Sequence, residues 1–276
     1  MAGNDSYTVS LLHMNGADAS VVFTDGAFGG THTWTAYGNV QIDTAQSKFG
    51  EASGLFDGDG DYLSTPDSDD WYFAAGNFTI DFWVRFLALP TAYDYLVAQD
   101  DGGGGYNMWG IYRNNSGNKL GFYAAVGGVA KADYIMTNNW GGVINTWYHI
   151  AVVRNGTSLN IYIDGVSQTL TGTTVIGTND LGNLAQPLYI GALSAGLYYF
   201  NGWIDELRIS KGIARWTANF SSSLPTGEYG VVEGQPTKKR FGGVPFVAPN
   251  RGVWHRPPKL VTPTMREILK YNIGVW

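Results

Sequence analysis

Cysteine is missing from the chain altogether, and charged side chains supply only 14% of its 276 residues. The first absence excludes a disulfide framework and any Cys-based zinc or redox site, so the fold must hold by packing. The second, set beside 38 glycines and 14% aromatics, suits short strands joined by tight turns and argues against a helical protein. Long apolar runs are missing as well. None approaches the roughly 18 residues that a membrane-spanning helix requires. The opening MAGNDSYTVS has neither a basic n-region nor an apolar stretch before a cleavage site, so neither a signal peptide nor a transmembrane segment is expected.

What is present alternates. In NFTIDFWVRF, Phe78, Ile80, Phe82, Val84 and Phe86 share one face while Thr79, Asp81, Trp83 and Arg85 share the other, as in a half-buried strand. WYHIAVVRNGTSLNIYIDG reads as a hairpin, with Asn155-Gly156 between Ile150 to Val153 and the alternation Leu159, Ile161, Ile163, and with a second turn at Asp164-Gly165. Further strands are predicted at Val9 to Met14, Val21 to Thr24, Asn107 to Tyr112, Leu120 to Ala124, Leu188 to Ile190 and Trp203 to Ile209. In GLFDGDGDYLS, Asp57, Asp59 and Asp61 imitate the start of an EF-hand loop. Tyr62 stands where that loop needs glycine and Ser68 where it needs glutamate, so the stretch reads as a turn, with the Asp-Gly signal of a hairpin. Many short strands without an amphipathic helix between them point to an all-β, two-sheet antiparallel sandwich.

The segments SLLHMNG with VVFTDG, FGEASGLFDGDGDYLSTP, FTIDFWVRF, WYHIAVVRNGTSLNIYIDG and FNGWIDELRISKGIARW together resemble the concanavalin A-like lectin/glucanase jelly rolls of the laminin G type, which occur in phage structural proteins. The resemblance runs from about residue 7 to 222. It implies a jelly roll whose first and last strands are neighbours, and binding or structural roles more often than catalysis. It also implies a structural calcium between the loop after the second strand and an aspartate of the last, positions matched by Asp25 and Asp205. Period two in GWIDELRIS places Asp205 on the face of Leu207 and Ile209, and Asp25 follows Val21 and Phe23 on theirs. A carboxylate turned toward a core needs a partner. A hard cation such as Ca2+ is one solution, and backbone N–H groups are the other.

No catalytic residue is predicted. Glu51, Glu206, Glu228, Glu233 and Glu267 are the only glutamates, no two share a strand, and the Glu-x-Asp-x-(x)-Glu pattern of retaining glucanases is absent. His13, His32, His149 and His255 have no Gly-x-Ser-x-Gly elbow to serve, and His149 reads as a packed strand residue. Tyr106, Trp109, Trp140, Tyr198 and Tyr199 lie near loop-like segments and are the candidates for stacking on sugar rings.

Beyond residue 226 the composition changes. Six of the ten prolines fall between Gln235 and Pro263, and Tyr229 to Trp276 holds eight Lys or Arg against two Glu, a net of +6 that leaves −12 for the rest. The expected division is a sandwich over 1–226 and an extended, mostly irregular, Pro-rich basic arm over 227–276. Phe241, Phe246, Trp254, Met265, Ile268 and Leu269 are its expected assembly anchors, the last three on a short helix. Basic residues scattered among prolines do not form a nucleic-acid stripe, and an acidic protein partner suits them better. The resulting expectation is a non-catalytic virion protein, a capsid decoration or a tail or fibre component. Its arm would bind other virion proteins or copies of itself, and its sandwich a cell-surface glycan. The alternative is a carbohydrate-binding module or lectin with no virion attached.

Overall fold

Residues 3–102, 106–194 and 196–230 are described by a computed structural model. The arm from residue 231 onward, with Phe241, Phe246, Trp254, Met265, Ile268 and Leu269, lies outside the described residues. Sixteen strands form two antiparallel sheets, as the alternation predicts. In chain order the first eight are β1 (Thr8–Leu12), β2 (Thr35–Tyr37), β3 (Gln41–Asp43), β4 (Ser53–Asp57), β5 (Tyr62–Thr65), β6 (Phe78–Phe86), β7 (Tyr93–Asp100) and β8 (Met108–Asn114). The others are β9 (Leu120–Val126), β10 (Val129–Met136), β11 (Trp147–Asn155), β12 (Ser158–Ile163), β13 (Val166–Ser167), β14 (Leu170–Thr174), β15 (Leu188–Ile190) and β16 (Asn201–Lys211). One sheet runs β13-β12-β11-β6-β16-β4-β3, with β1 also on β16; the other runs β14-β10-β9-β8-β7-β15-β5-β2. The first and last long strands therefore pair, as the resemblance implies.

The apolar face of β6 enters the core: Phe78, Ile80, Phe82, Val84 and Phe86 meet Leu96, Trp109, Phe122 and Leu188 of the opposite sheet's strands in one buried cluster. Each such fully buried side chain contributes roughly 1.5–3 kcal/mol. The hairpin of β11 and β12 forms in the predicted register, and Asp164-Gly165 turns the chain into β13 with both residues at positive φ, 48° and 73°, as a two-residue hairpin turn requires.

Three expectations change. The Asp-Gly turn at 57–61 is a turn but not a hairpin, because β4 and β5 belong to different sheets. The chain arches over the edge of the sandwich there, with Gly58 and Gly60 at φ 85° and 82°. The buried Asp61 carboxylate fastens the arch by accepting from the Asp57 and Asn39 N–H groups. Val21 to Thr24 is not a strand: Val21 and Val22 are exposed, and only the single bridges Leu12 to Asp25 and Thr24 to Thr33 mark this stretch. In β16, alternation breaks at a bulge where Glu206 adopts φ 50°, so that Ile204, Leu207 and Ile209 face the core. The extra residue takes Asp205 off the face of Leu207 and Ile209.

The face of β6 expected to meet water does not. The chain after β16 folds back across it, where Ala214, Trp216, Phe220 and Leu224 pack on Ala151, Val153 and Tyr162. Tyr229, 5% exposed, lies against Leu11 and Ala27. The packed part of the molecule thus runs past Thr226, the expected boundary, to at least Gly230, whose C=O accepts from the Asn4 N–H.

Candidate functional site

The two carboxylates predicted to share a cation have separate surroundings. Asp25 Oδ1 accepts from the Leu11 and Ala27 N–H groups at 3.0 and 2.9 Å, and Oδ2 from Ser10 Oγ, the His32 N–H and Trp34 Nε1 at 2.8, 3.2 and 3.5 Å. Five donors satisfy this carboxylate and tie β1 to the loop that follows it. Asp205 Oδ2 accepts from the Lys48 and Phe49 N–H groups at 2.8 and 3.0 Å, while Oδ1 is buried without a partner. Burial pushes the Asp205 carboxyl up to about 7, against the pull of those two N–H groups. A calcium ion gathers several charged or carbonyl oxygens. Asp25 is occupied by protein donors, whereas Asp205 keeps Oδ1 unpartnered among the described residues.

His13, Glu206 and Glu228 bring donor atoms within 4.8 Å of one another, and each already has a protein partner. His13 Nδ1 lies 2.5 Å from Glu206 Oε1, Glu206 Oε2 accepts from the Tyr229 N–H at 2.9 Å, and Glu228 Oε1 accepts from Asn15 Nδ2 at 2.5 Å. The Glu206 hydrogen bond lifts the His13 pKa above its ordinary value, despite burial. The group binds β1, the β16 bulge and the last described residues together.

The predicted aromatic residues separate into those that build the interior and those that face outward. Trp109 is 1% exposed, stacks near Phe73 and donates Nε1–H to Gln99 Oε1, so it is a core residue: the period of β8 turns it inward. Trp140 packs edge-on against Phe86 and Tyr148 at 5.3 and 4.8 Å and also serves the interior. Tyr106 is exposed, beside Gly128, and touches no other ring among the described residues. Tyr198 and Tyr199 do converge with other aromatics, on the outer face of the second sheet.

Eight tyrosines meet there in two groups. Tyr62 on β5 stacks on Tyr37 of β2 at 4.5 Å and 9°, and reaches Tyr189 of β15 at 5.8 Å and Tyr199 at 6.5 Å. Tyr198 meets Tyr93 and Tyr95 of β7 at 5.4 and 5.9 Å, and both of these meet Tyr112 of β8 at 5.6 Å. The adjacent Tyr198 and Tyr199 join the groups. Glycine makes room for the inner rings: a Cβ on Gly110 would strike Tyr95, and one on Gly121 would strike Tyr112. Tyr37, Tyr93 and Tyr198 are 44, 42 and 40% exposed.

Among the described residues, the hydroxyls of this group are unengaged. Those of Tyr72, Tyr134, Tyr148 and Tyr229 bond to protein atoms, whereas none of the eight outer hydroxyls has a partner among the described residues. Burial raises the phenol pKa of Tyr62, Tyr95, Tyr112 and Tyr189, so these groups stay neutral and can donate or accept. Six of the eight were missed by sequence reasoning. The available signal was tyrosine at the outward positions of strands, but the adjacency of β7, β15, β5 and β2 is not local in sequence.

A cavity of about 820 Å³ lies on the other side of the sandwich, beside Trp216 and Tyr229. Its charged groups are engaged within the protein, Arg215 by Asp5, Thr8 and Ser210 and Glu228 by Asn15.

Residues 57–215 match the family model of the concanavalin A-like lectin/glucanases superfamily, laminin G type. No curated protein matches the sequence. Among solved structures, the chain is similar to domain 4 of AbnA, a GH43 extracellular arabinanase from Geobacillus stearothermophilus, solved with arabinotriose. The identity is 17% and the TM-score 0.55, covering 77% of this chain and 95% of that domain. It is also similar to the botulinum neurotoxin serotype D binding domain (16% identity, TM-score 0.54, covering 76% of this chain and 49% of that one). A third is the binding domain of Paraclostridial Mosquitocidal Protein 1 (16%, 0.56, 75% and 49%). The chain spans about half the length of the two toxin domains, and at these identities the likeness is one of fold.

Proposed function

The chain belongs to the concanavalin A-like lectin/glucanases superfamily in its laminin G type, and from that membership we propose that it is a carbohydrate-binding module that holds a glycan on its tyrosine face without cleaving it. The carrying observation is the array of eight tyrosines on this sheet face, six of them exposed or half-buried over the buried Tyr95 and Tyr112, whose hydroxyls are unengaged among the described residues. A sugar presents C–H faces to an aromatic ring and hydroxyls to its rim, so a tyrosine serves both needs at once. The likeness to a domain solved with arabinotriose supports the reading through fold; the tyrosines support it through chemistry. Display on a virion, as a surface adhesin, rests on the sequence resemblance alone.

Affinity electrophoresis through gels containing arabinan, xylan or β-glucan tests the proposal. Retardation by at least one of them is expected, with no new reducing ends after incubation. Tyr62→Ala, which deletes the ring that touches Tyr37, Tyr189 and Tyr199, should weaken binding about two- to tenfold at an aromatic contribution of roughly 0.5–1.5 kcal/mol. Unchanged retardation of a folded Tyr62→Ala protein would move the site elsewhere.

A further inference from the structure

The tyrosines spread across five strands: Tyr95 faces Tyr112 and Tyr62 faces Tyr37, Tyr198 and Tyr199 bridge the two pairs, and Tyr189 sits to one side, opposite Ala98 and Ser64. Tyr95 and Tyr112 are buried, so Tyr93 and Tyr198 are the accessible rings at that end. Strands β8, β7, β15, β5 and β2 are consecutive neighbours in the second sheet, and each supplies at least one ring: Tyr112, Tyr95, Tyr189, Tyr62 and Tyr37 in that order. With about 4.8 Å between strands, the band is roughly 19 Å from end to end and runs across the strands. One saccharide unit is about as long as one such step.

The charges around the band share a sign. The Asp100 carboxylate raises the phenols of Tyr95 and Tyr189, and the Asp133 carboxylate that of Tyr112. Arg113, next to Tyr112 in sequence, points the other way, buried over Phe86 and paired with Asp94. A sulfate, uronate or sialate would meet the Asp100 and Asp133 carboxylates. An apolar peptide would leave the row of phenol hydroxyls unpaired on contact, which costs free energy.

We infer that the tyrosine band takes an internal stretch of a neutral, linear polysaccharide, about four units long and laid across the strands. The inference rests on the glycan-binding reading and adds charge, length and direction to it.

Isothermal titration of the full chain with arabino-, xylo- and cello-oligosaccharides of two to six units tests this, alongside polygalacturonate and heparin. For the neutral series that binds, affinity rises with each unit and levels off near four, and capping the reducing end changes nothing. Tyr37→Ala and Tyr93→Ala, exposed rings toward opposite ends of the band, each cost a tetramer about tenfold and a dimer far less, with an unchanged melting temperature. Polygalacturonate and heparin do not bind at physiological salt. Affinity that is flat beyond two units, sensitivity to only one end, or preference for the acidic polymers overturns the inference while leaving glycan binding intact. Binding of every saccharide that is indifferent to Tyr62→Ala, or no binding at all, overturns the glycan reading and the inference with it.

Discussion

Arg208 and Asp81 are fully enclosed and face each other across β16 and β6 through two 3.0 Å hydrogen bonds. His149 Nε2 stands 3.4 Å from the same carboxylate, the Tyr229 hydroxyl donates to it at 2.5 Å, and the Tyr229 ring covers the guanidinium at 3.7 Å. Burial alone would raise the Asp81 pKa; the Arg208 charge and the His149 hydrogen bond outweigh it and hold the group at about 2. Removing one side of such a pair strands the other charge in a dry interior. Asp81→Asn should therefore cost about 3–5 kcal/mol in urea unfolding, whereas Tyr229→Phe, which deletes one hydrogen bond and keeps the ring, should cost about 1–2 kcal/mol. Equal effects would mean that the hydroxyl matters as much as the ion pair.

At the scale of elements, β16 and the segment after it do more than complete a sheet. The bulge at Glu206 aims its carboxylate at His13 and at the Tyr229 N–H, and beyond the strand the chain crosses the outer face of its own sheet. Trp216 and Phe220 stack at 4.2 Å there, against His149 and Tyr162. The crossing ends in Tyr229, which closes the Asp81–Arg208 pair. A chain ending at Gly230 should unfold cooperatively with most of its stability, and one ending at Thr226 should lose several kcal/mol, because it uncovers that pair. Denaturant midpoints of the two truncations measure the difference; indistinguishable midpoints would show that residues 227–230 do not seal the sheet.

For the whole molecule, the two outer faces have opposite fates. Among the described residues, one is sealed by the chain itself and the other carries aromatic rings and unengaged hydroxyls, so the proposed binding and the sealing of the core fall to different sheets. Titration bears on stability as a whole. The lowered Asp81 pKa supplies stability that is present above about pH 4 and lost as pH falls toward 2. The raised Asp205 pKa acts in the other direction, favouring the native state below its unfolded value near 4 and losing that contribution as pH rises through about 7. The melting temperature should accordingly peak in the mildly acid range and fall on both sides. Asp205→Asn, which can still accept from Lys48 and Phe49, should flatten the limb between pH 5 and 7; an unaltered limb would assign it to another group.

The strands β1, β6, β8, β9, β11, β12, β15 and β16, the β11–β12 hairpin and the inward rings of β6 were legible in the sequence, because alternation and Asn-Gly or Asp-Gly turns are local signals that core burial reinforces; β2, β3, β7, β10, β13 and β14 were not. Tyr198 and Tyr199 were legible as candidate ligand contacts for the same local reason, their position in a loop. What the sequence could not express was anything set by contacts between distant strands. The turn at 57–61 looks like a hairpin until β4 and β5 pair with different partners, and Trp109 looks like a loop aromatic until β8 turns it inward. Asp205 shares a face with Leu207 until one extra residue at Glu206 shifts the period. The tyrosine band depends on β15 lying between β7 and β5, a juxtaposition of chain segments about 90 and 125 residues apart. Local chemistry chose the elements; only burial of both sheets against one core decided which rings were left outside, side by side.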